Sequence, residues 1–148
     1  MKVRDGSPFD IPQILDMLRS YRKHTPMPFL AEADNVEYIT KMLTQLMVGR
    51  GVVLVSEDEE LTGMLIAIIS PSLWSPEHLL LTEMAYWVNP EWRGGTAGYR
   101  LLAAYQQRGE ALKAEKRISN FIISKMSNSP NLQYQKFGFT KLEESWVI

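Results

Sequence analysis

The sequence contains no cysteine and only two histidines, His24 and His78. The absence of cysteine excludes disulfide bonds, thiolate metal sites and a cysteine nucleophile that would carry an acyl group. Two histidines do not favour a metal site built from several imidazoles, so no metal is expected. A cysteine-free chain is also compatible with the reducing cytoplasm.

An excess of charge and a long apolar run are lacking as well. The 16 basic and 17 acidic residues leave a formal net charge of −1, so no overall positive field attracts nucleic acid or an anionic membrane. The most apolar runs, near Met64–Ile69 and Leu79–Leu81, fall far short of the roughly 20 residues that a membrane helix requires. The N-terminal residues lack the apolar core of a signal peptide. We therefore expect one soluble, cytoplasmic domain that spans residues 1–148.

Hydrophobic periodicity predicts alternating helices and strands. Apolar residues at every third or fourth position predict four helices, which begin near Phe9, Asn35, Thr96 and Asn131 and end near His24, Val48, Glu115 and Phe137. Apolar runs between turn residues predict six strands, at residues 1–4, 52–56, 61–70, 79–89, 117–124 and 139–148. The order β-α-α-β-β-β-α-β-α-β predicts an α/β (α+β) fold with a mixed central sheet of about six strands and helices on both faces.

The most informative segment joins the strand that ends at Pro90 to the helix that begins near Thr96. It reads Val88-Asn-Pro-Glu-Trp-Arg-Gly-Gly-Thr-Ala-Gly98. Glycines there allow a close approach of a ligand, and the free N–H groups of the first helical turn favour an anion. A Walker A loop is excluded, because Gly98 is followed by Tyr99 rather than by lysine. The spacing also lacks the first part of a Rossmann fingerprint.

This segment resembles the signature Q/R-x-x-G-x-G/A of the GCN5-related N-acetyltransferases (GNAT superfamily). Arg93 matches the first position and Gly98 the last, whereas Thr96 replaces the middle glycine. A second match lies downstream, where Asn128 precedes the complete pattern Y-x-K-x-G-F, which begins at Tyr134. The order of predicted elements also agrees with that family, except for its usual seventh strand.

The resemblance implies that acetyl-CoA binds between two central strands that diverge. The pyrophosphate would bind the main-chain amides of Arg93–Gly98, here called the glycine segment. The pantetheine would pair with the main chain around Trp87 and Val88, and the Val88 N–H would stabilise the thioester oxygen. The cofactor-binding residues implied in this way are Trp87, Val88, Arg93, Gly94, Gly95, Thr96, Ala97, Gly98, Tyr99 and Asn128.

Two residues are candidates for proton transfer. The resemblance implies that Tyr134 protonates the departing CoA thiolate. Glu83 is our candidate for the base that deprotonates the amine. A carboxylate is unusual within so apolar a strand, and a role as a general base would account for it. Strand alternation predicts that Glu83 shares one face with Ala85 and Trp87. A structural carboxylate at 83, a packing aromatic at 134 and a helix cap at 128 remain open alternatives.

The sequence thus favours an acetyl-CoA-dependent N-acetyltransferase that acts by direct attack in a ternary complex. A catalytically silent CoA-binding or protein-interaction domain is the alternative, followed by another small-molecule or nucleotide binder. The partners expected are acetyl-CoA and an amine-bearing acceptor, and a homodimer that completes the sheet stays open. The loop from His24 to Asp34, which contains Glu32, is expected to shape the acceptor site.

Overall fold

The computed structural model describes residues 1–27 and 33–148. Five strands form one sheet in the order β1-β2-β3-β4-β5. These are β1 (Lys2–Asp5), β2 (Gly51–Glu57), β3 (Leu61–Pro71), β4 (Leu79–Val88) and β5 (Asn120–Ile122). The pairs β1–β2, β2–β3 and β3–β4 are antiparallel, whereas β4 and β5 are parallel.

In the described part of the chain, three helices cover the two faces of this sheet. They are α1 (Ile11–His24), α2 (Val36–Gln45), which continues into a wider turn at Leu46–Arg50, and α3 (Ala97–Ala114). On one face, here called the α1/α2 face, Met64, Ile66, Ala85 and Trp87 pack against α1 and α2. On the opposite face, the α3 face, Leu54, Leu65, Ala67 and Leu81 pack against α3. The predicted mixed sheet with helices on both faces is confirmed.

Asn35 and Gly49 mark the two ends of α2 and of the wider turn that continues it. The Asn35 side chain accepts a hydrogen bond of 3.0 Å from the Tyr38 N–H, so it caps α2 at its first turn. At the other end, Gly49 adopts a φ of +115°, which a residue with a side chain rarely reaches. The predicted helix over Asn35–Val48 is therefore confirmed in place, with a wider last turn.

The structure corrects the end of the chain. The predicted sixth strand over 139–148 is absent, because β5 is only three residues long and offers too short an edge for a ten-residue partner. Leu142 and Trp146 are left 70% and 89% exposed. The predicted short helix over Asn131–Phe137 is reduced to a single turn, Tyr134–Phe137, which ends at Gly138 as expected.

Candidate active site

A cleft opens in the sheet between β4 and β5. The two strands pair only where Leu80–Thr82 faces Asn120–Ile122, and beyond those residues the chains separate. The predicted strand over 117–124 is shortened for this reason. A cavity of about 830 Å³ lies at the cleft and is bounded by residues of α1, α2, β4, the glycine segment and the chain after β5.

An irregularity in β4 lies at the edge of this cleft. Ala67 of β3 pairs with Glu83, whereas its neighbour Ile66 pairs with Ala85. Met84 is therefore an extra residue, a β-bulge that bends the strand locally. Paired residues share a face, so Glu83 lies with Ala67 on the α3 face, while Ala85 lies on the α1/α2 face. The predicted shared face of Glu83, Ala85 and Trp87 is wrong, because simple alternation does not hold across a bulge.

Glu83 is buried, with 8% of its surface exposed. Its Oε1 accepts one hydrogen bond, of 3.1 Å, from the Ser124 N–H. Burial raises the pKa of the Glu83 carboxyl to about 7, and the hydrogen bond opposes this shift only in part. A carboxyl group that titrates near neutrality can exist in both protonation states under ordinary conditions.

Tyr134 reaches the same position from the chain after β5. Its hydroxyl donates a hydrogen bond of 3.3 Å to the Ser124 carbonyl oxygen. Burial, and secondly the charge of Glu83, raise the pKa of the Tyr134 phenol to about 12, so the phenol is protonated at neutral pH. Glu83 and Tyr134 are thus held by the N–H and the C=O of one residue, Ser124.

The glycine segment lies between β4 and α3. Gly94 has a φ of +87°, and Thr96 immediately precedes the first residue of α3. The Tyr86 hydroxyl donates to the Gly98 carbonyl, which fixes the start of the helix against β4. Of the predicted cofactor-binding residues in this segment, some line the cavity, namely Arg93, Gly94, Gly95, Gly98 and Tyr99. Thr96 and Ala97 are outside the lining, and Ala97 is fully buried.

The end of β4 presents main-chain groups to the cleft. The Asn89 N–H donates to the Thr62 carbonyl of β3 at 2.8 Å. Because N–H directions alternate along a strand, the Val88 N–H points away from β3, toward the cleft. The Val88 carbonyl accepts a hydrogen bond of 2.9 Å from Arg93 Nε, and the Arg93 guanidinium lies 4.4 Å from the centre of the Trp87 ring.

Asn128 joins the chain after β5 to the end of α1. Its side-chain nitrogen donates to the His24 carbonyl, and both residues line the cavity. The His24 ring lies 5.1 Å from the ring of Trp87. Asp34 also lines the cavity, whereas Glu32 lies outside the described residues.

Sequence reasoning missed three contributors to this site. Tyr86 could have been found from its place on β4 between the predicted site residues, and Tyr21 from its position on the buried stripe of α1. Ser124 carries no such signal, because it acts through its main chain rather than its side chain.

Other kinds of site find no support in the described part of the chain. Within residues 1–27 and 33–148, no group of three histidine, aspartate or glutamate side chains is arranged to hold a metal ion. Over the same residues, no helix combines the length and the apolar character needed to cross a membrane.

Comparison with known proteins identifies the family of the chain. No curated protein sequence is significantly similar to the chain. Solved structures share its fold, among them an acetyltransferase of Trypanosoma brucei (TM-score 0.72, 16% identity, covering 99% of this chain and 97% of that one). The aminoglycoside acetyltransferase meta-AAC0020 from an uncultured soil metagenomic sample, whose structure was solved in complex with sisomicin, is also similar (TM-score 0.68, 18% identity, covering 99% of this chain and 92% of that one). So is a transcriptional regulator of Bacillus halodurans C-125 (TM-score 0.70, 17% identity, covering 99% of this chain and 97% of that one). The sequence model of the acetyltransferase (GNAT) family matches residues 14–139, and the chain belongs to that family.

Proposed function

We propose that the protein is an N-acetyltransferase that moves an acetyl group from acetyl-CoA to a primary amine by direct attack in a ternary complex. The observation that carries this proposal is the arrangement around Ser124. A carboxylate and a phenol, suited to opposite proton transfers, are held by the two main-chain groups of one residue. Both line the same cavity, which the glycine segment also borders.

The residues at the end of β4 fit acetyl-CoA. The first turn of α3 has N–H groups without intrahelical partners, which suits the pyrophosphate. The cleft-facing N–H of Val88 suits the pantetheine or the thioester oxygen. We propose that the cofactor binds the whole set predicted from the sequence, with Arg93 leaving the Val88 carbonyl when the pantetheine pairs there. Thr96 and Ala97 contribute main-chain amides in this proposal.

The proposed chemistry assigns one proton transfer to each side chain. Glu83, directly or through water, takes a proton from the ammonium group of the acceptor, and a base with a pKa near 7 is well matched to this task. The amine nitrogen forms a bond to the acetyl carbon while the Val88 N–H stabilises the oxygen. As the carbon–sulfur bond breaks, Tyr134 protonates the CoA sulfur and recovers a proton from the nitrogen that has become the amide. The products are the acetylated amine and free CoA, and Glu83 then releases the proton from the ammonium group to solvent.

Two measurements test this function. Calorimetric titration with acetyl-CoA is expected to give saturable binding in the micromolar range, and its absence contradicts the proposal. Incubation with acetyl-CoA and a panel of primary amines is then expected to release free thiol. Binding without thiol release for any amine would instead support a silent CoA-binding domain. A cytoplasmic location, where acetyl-CoA is available, belongs to the same proposal.

A further inference from the structure

The cavity extends past the candidate catalytic groups into an apolar region on the α1/α2 face of the sheet. This region, here called the apolar branch, is lined by Leu18, Tyr21, Tyr38, Ile39, Met42 and Trp87. The cavity is also lined by Leu43, which is buried in the core, whereas Tyr38 is 60% exposed. The branch therefore runs from the surface beside α2 into the interior.

The apolar branch and the start of α3 lie on opposite faces of β4, and the Arg93 guanidinium is the part of the glycine segment that reaches across to the Trp87 ring. A side chain at Gly98 would contact Tyr86 and Val88, which belong to the α3 face. Trp87, which lines the branch, belongs to the α1/α2 face. Since the cofactor is proposed to bind at the glycine segment, the branch is left for the second reactant of a ternary complex.

The charged residues along the described part of the cavity suit a single ammonium group, because Arg22 and Arg93 also line it and disfavour further positive charge. Among the described residues that line the cavity, the carboxylates are Asp34 and Glu83. Asp34 is already close to two arginines, 3.5 Å from Arg19 Nε and 3.9 Å from Arg22 Nη1. Glu83 is hydrogen-bonded only to a main-chain N–H in the described structure. One carboxylate without a cationic partner can balance one positive charge, whereas a polycation needs several.

An aromatic wall of the apolar branch reaches the main chain at Met84, the neighbour of Glu83. The Tyr21 ring lies edge-on to Trp87 at 6.3 Å, and the Tyr21 hydroxyl is 3.5 Å from the carbonyl oxygen of Met84, next to Glu83. His24 packs on the same Trp87 ring at 5.1 Å. Aromatic rings attract an ammonium group by cation–π interaction and bury apolar surface beside it.

Building on the proposed acetyl transfer, we propose that the acceptor is a primary amine with one positive charge and an apolar body of aryl or alkyl type. The ammonium group lies at Glu83 beside the aromatic wall, and the body lies in the apolar branch. Polyamines and aminoglycosides are poor acceptors, because the branch offers their additional charges no partner among the described residues. In an apolar pocket, each missing methylene costs about 10- to 200-fold in kcat/KM.

The test compares four amines with the intact protein and acetyl-CoA, by release of free thiol. We expect kcat/KM for 2-phenylethylamine to exceed that for ethylamine at least tenfold, and to exceed the values for spermidine and kanamycin. A higher value for spermidine or kanamycin overturns the inference and leaves the proposed function standing. Thiol release with none of the amines, while acetyl-CoA binds, contradicts the transferase itself.

Two further arms locate the apolar body. If hexanoyl-CoA with ethylamine reacts better than acetyl-CoA with ethylamine, the branch receives the acyl chain and the inference is wrong. Tyr38→Glu introduces a carboxylate at an exposed position of the branch, and we expect it to lower the ratio of 2-phenylethylamine to spermidine in kcat/KM at least tenfold. Gln45→Glu adds the same charge to α2 outside the cavity and is the matched control. An equal change of that ratio in both variants also overturns the inference.

Discussion

Replacement of Glu83 by glutamine is expected to stabilise the protein at alkaline pH while it impairs catalysis. The carboxyl group is buried and its pKa is raised from 4.5 to about 7, mainly by desolvation. A raised carboxyl pKa means that the folded protein holds this proton more tightly than the unfolded chain does. The resulting stabilisation is complete below pH 4.5 and is lost as the pH rises through about 7. Above neutrality, the wild type therefore carries a buried charge that the Glu83→Gln variant lacks.

The size of the effect follows from the pKa shift. A difference between 4.5 and about 7 corresponds to about 3 kcal/mol between the two protonation states. The glutamine amide keeps an oxygen for the Ser124 N–H but brings an NH₂ group that needs a partner, which removes part of the gain. We therefore expect the free energy of unfolding of Glu83→Gln to exceed that of the wild type by about 1–3 kcal/mol at pH 8, and by much less at pH 5.

Urea unfolding followed by tryptophan fluorescence measures this difference, with Glu110→Gln, an exposed position on α3, as the control for loss of one negative charge. Thiol release from a saturating amine supplies the second readout, and we expect kcat to fall about 10²-fold or more. A structural carboxylate predicts the opposite sign of the stability change. If Glu83→Gln is less stable than the wild type at pH 8, or if its turnover is unchanged, the reasoning on the base is refuted.

Three other substitutions test neighbouring parts of the structure. Tyr134→Phe is expected to lower turnover about 10²-fold while calorimetry shows unchanged affinity for acetyl-CoA, and unchanged turnover removes the assignment of the acid. Gly109→Ala is expected to destabilise the protein by about 1–3 kcal/mol in urea, although alanine favours helices, because the new Cβ would lie 2.5 Å from the ring of Phe121. Tyr105→Phe is expected to cost about 1–3 kcal/mol in the same assay, since it deprives the Ile122 carbonyl of a 2.7 Å hydrogen bond, and a neutral result contradicts that role.

Elements with their own local pattern were predictable from the sequence. The helix after the glycine segment was expected from Thr96 to Glu115, and α3 spans Ala97–Ala114. Its buried positions include Leu101, Leu102, Tyr105 and Leu112, which form the predicted apolar stripe. Such a helix depends on the periodicity of its own side chains, which the sequence displays directly.

The geometry of the cleft could not be predicted in this way. The bulge at Met84 depends on the register between β3 and β4, and no residue in either strand indicates it in the sequence. The length of β5 depends on where its parallel neighbour β4 diverges from it. It does not depend on Phe121 or Ile122 themselves, whose β propensity is high. The sixth strand that we predicted is absent for a related reason, because a strand needs a sufficiently long neighbouring edge to pair with. Each of these three features is therefore set by pairing between distant segments of the chain, which local sequence patterns do not show.

Comparison of two buried carboxylates in this chain explains why Glu83, rather than Asp10, is the candidate base. Asp10 is 6% exposed, similar to Glu83, but it accepts hydrogen bonds from Arg4 at 2.7 and 2.9 Å and from the Ser7 N–H at 2.7 Å. The pKa of Asp10 is lowered by these contacts, so its charge is stabilised and its proton is not available near neutrality. The fold can thus supply an arginine to a buried carboxylate. Among the described residues, the Glu83 carboxyl accepts a hydrogen bond only from a main-chain N–H, and it lies at the border of a cavity large enough for ligands. Its charged form is therefore not stabilised by an arginine, and the carboxyl can exchange its proton near neutrality.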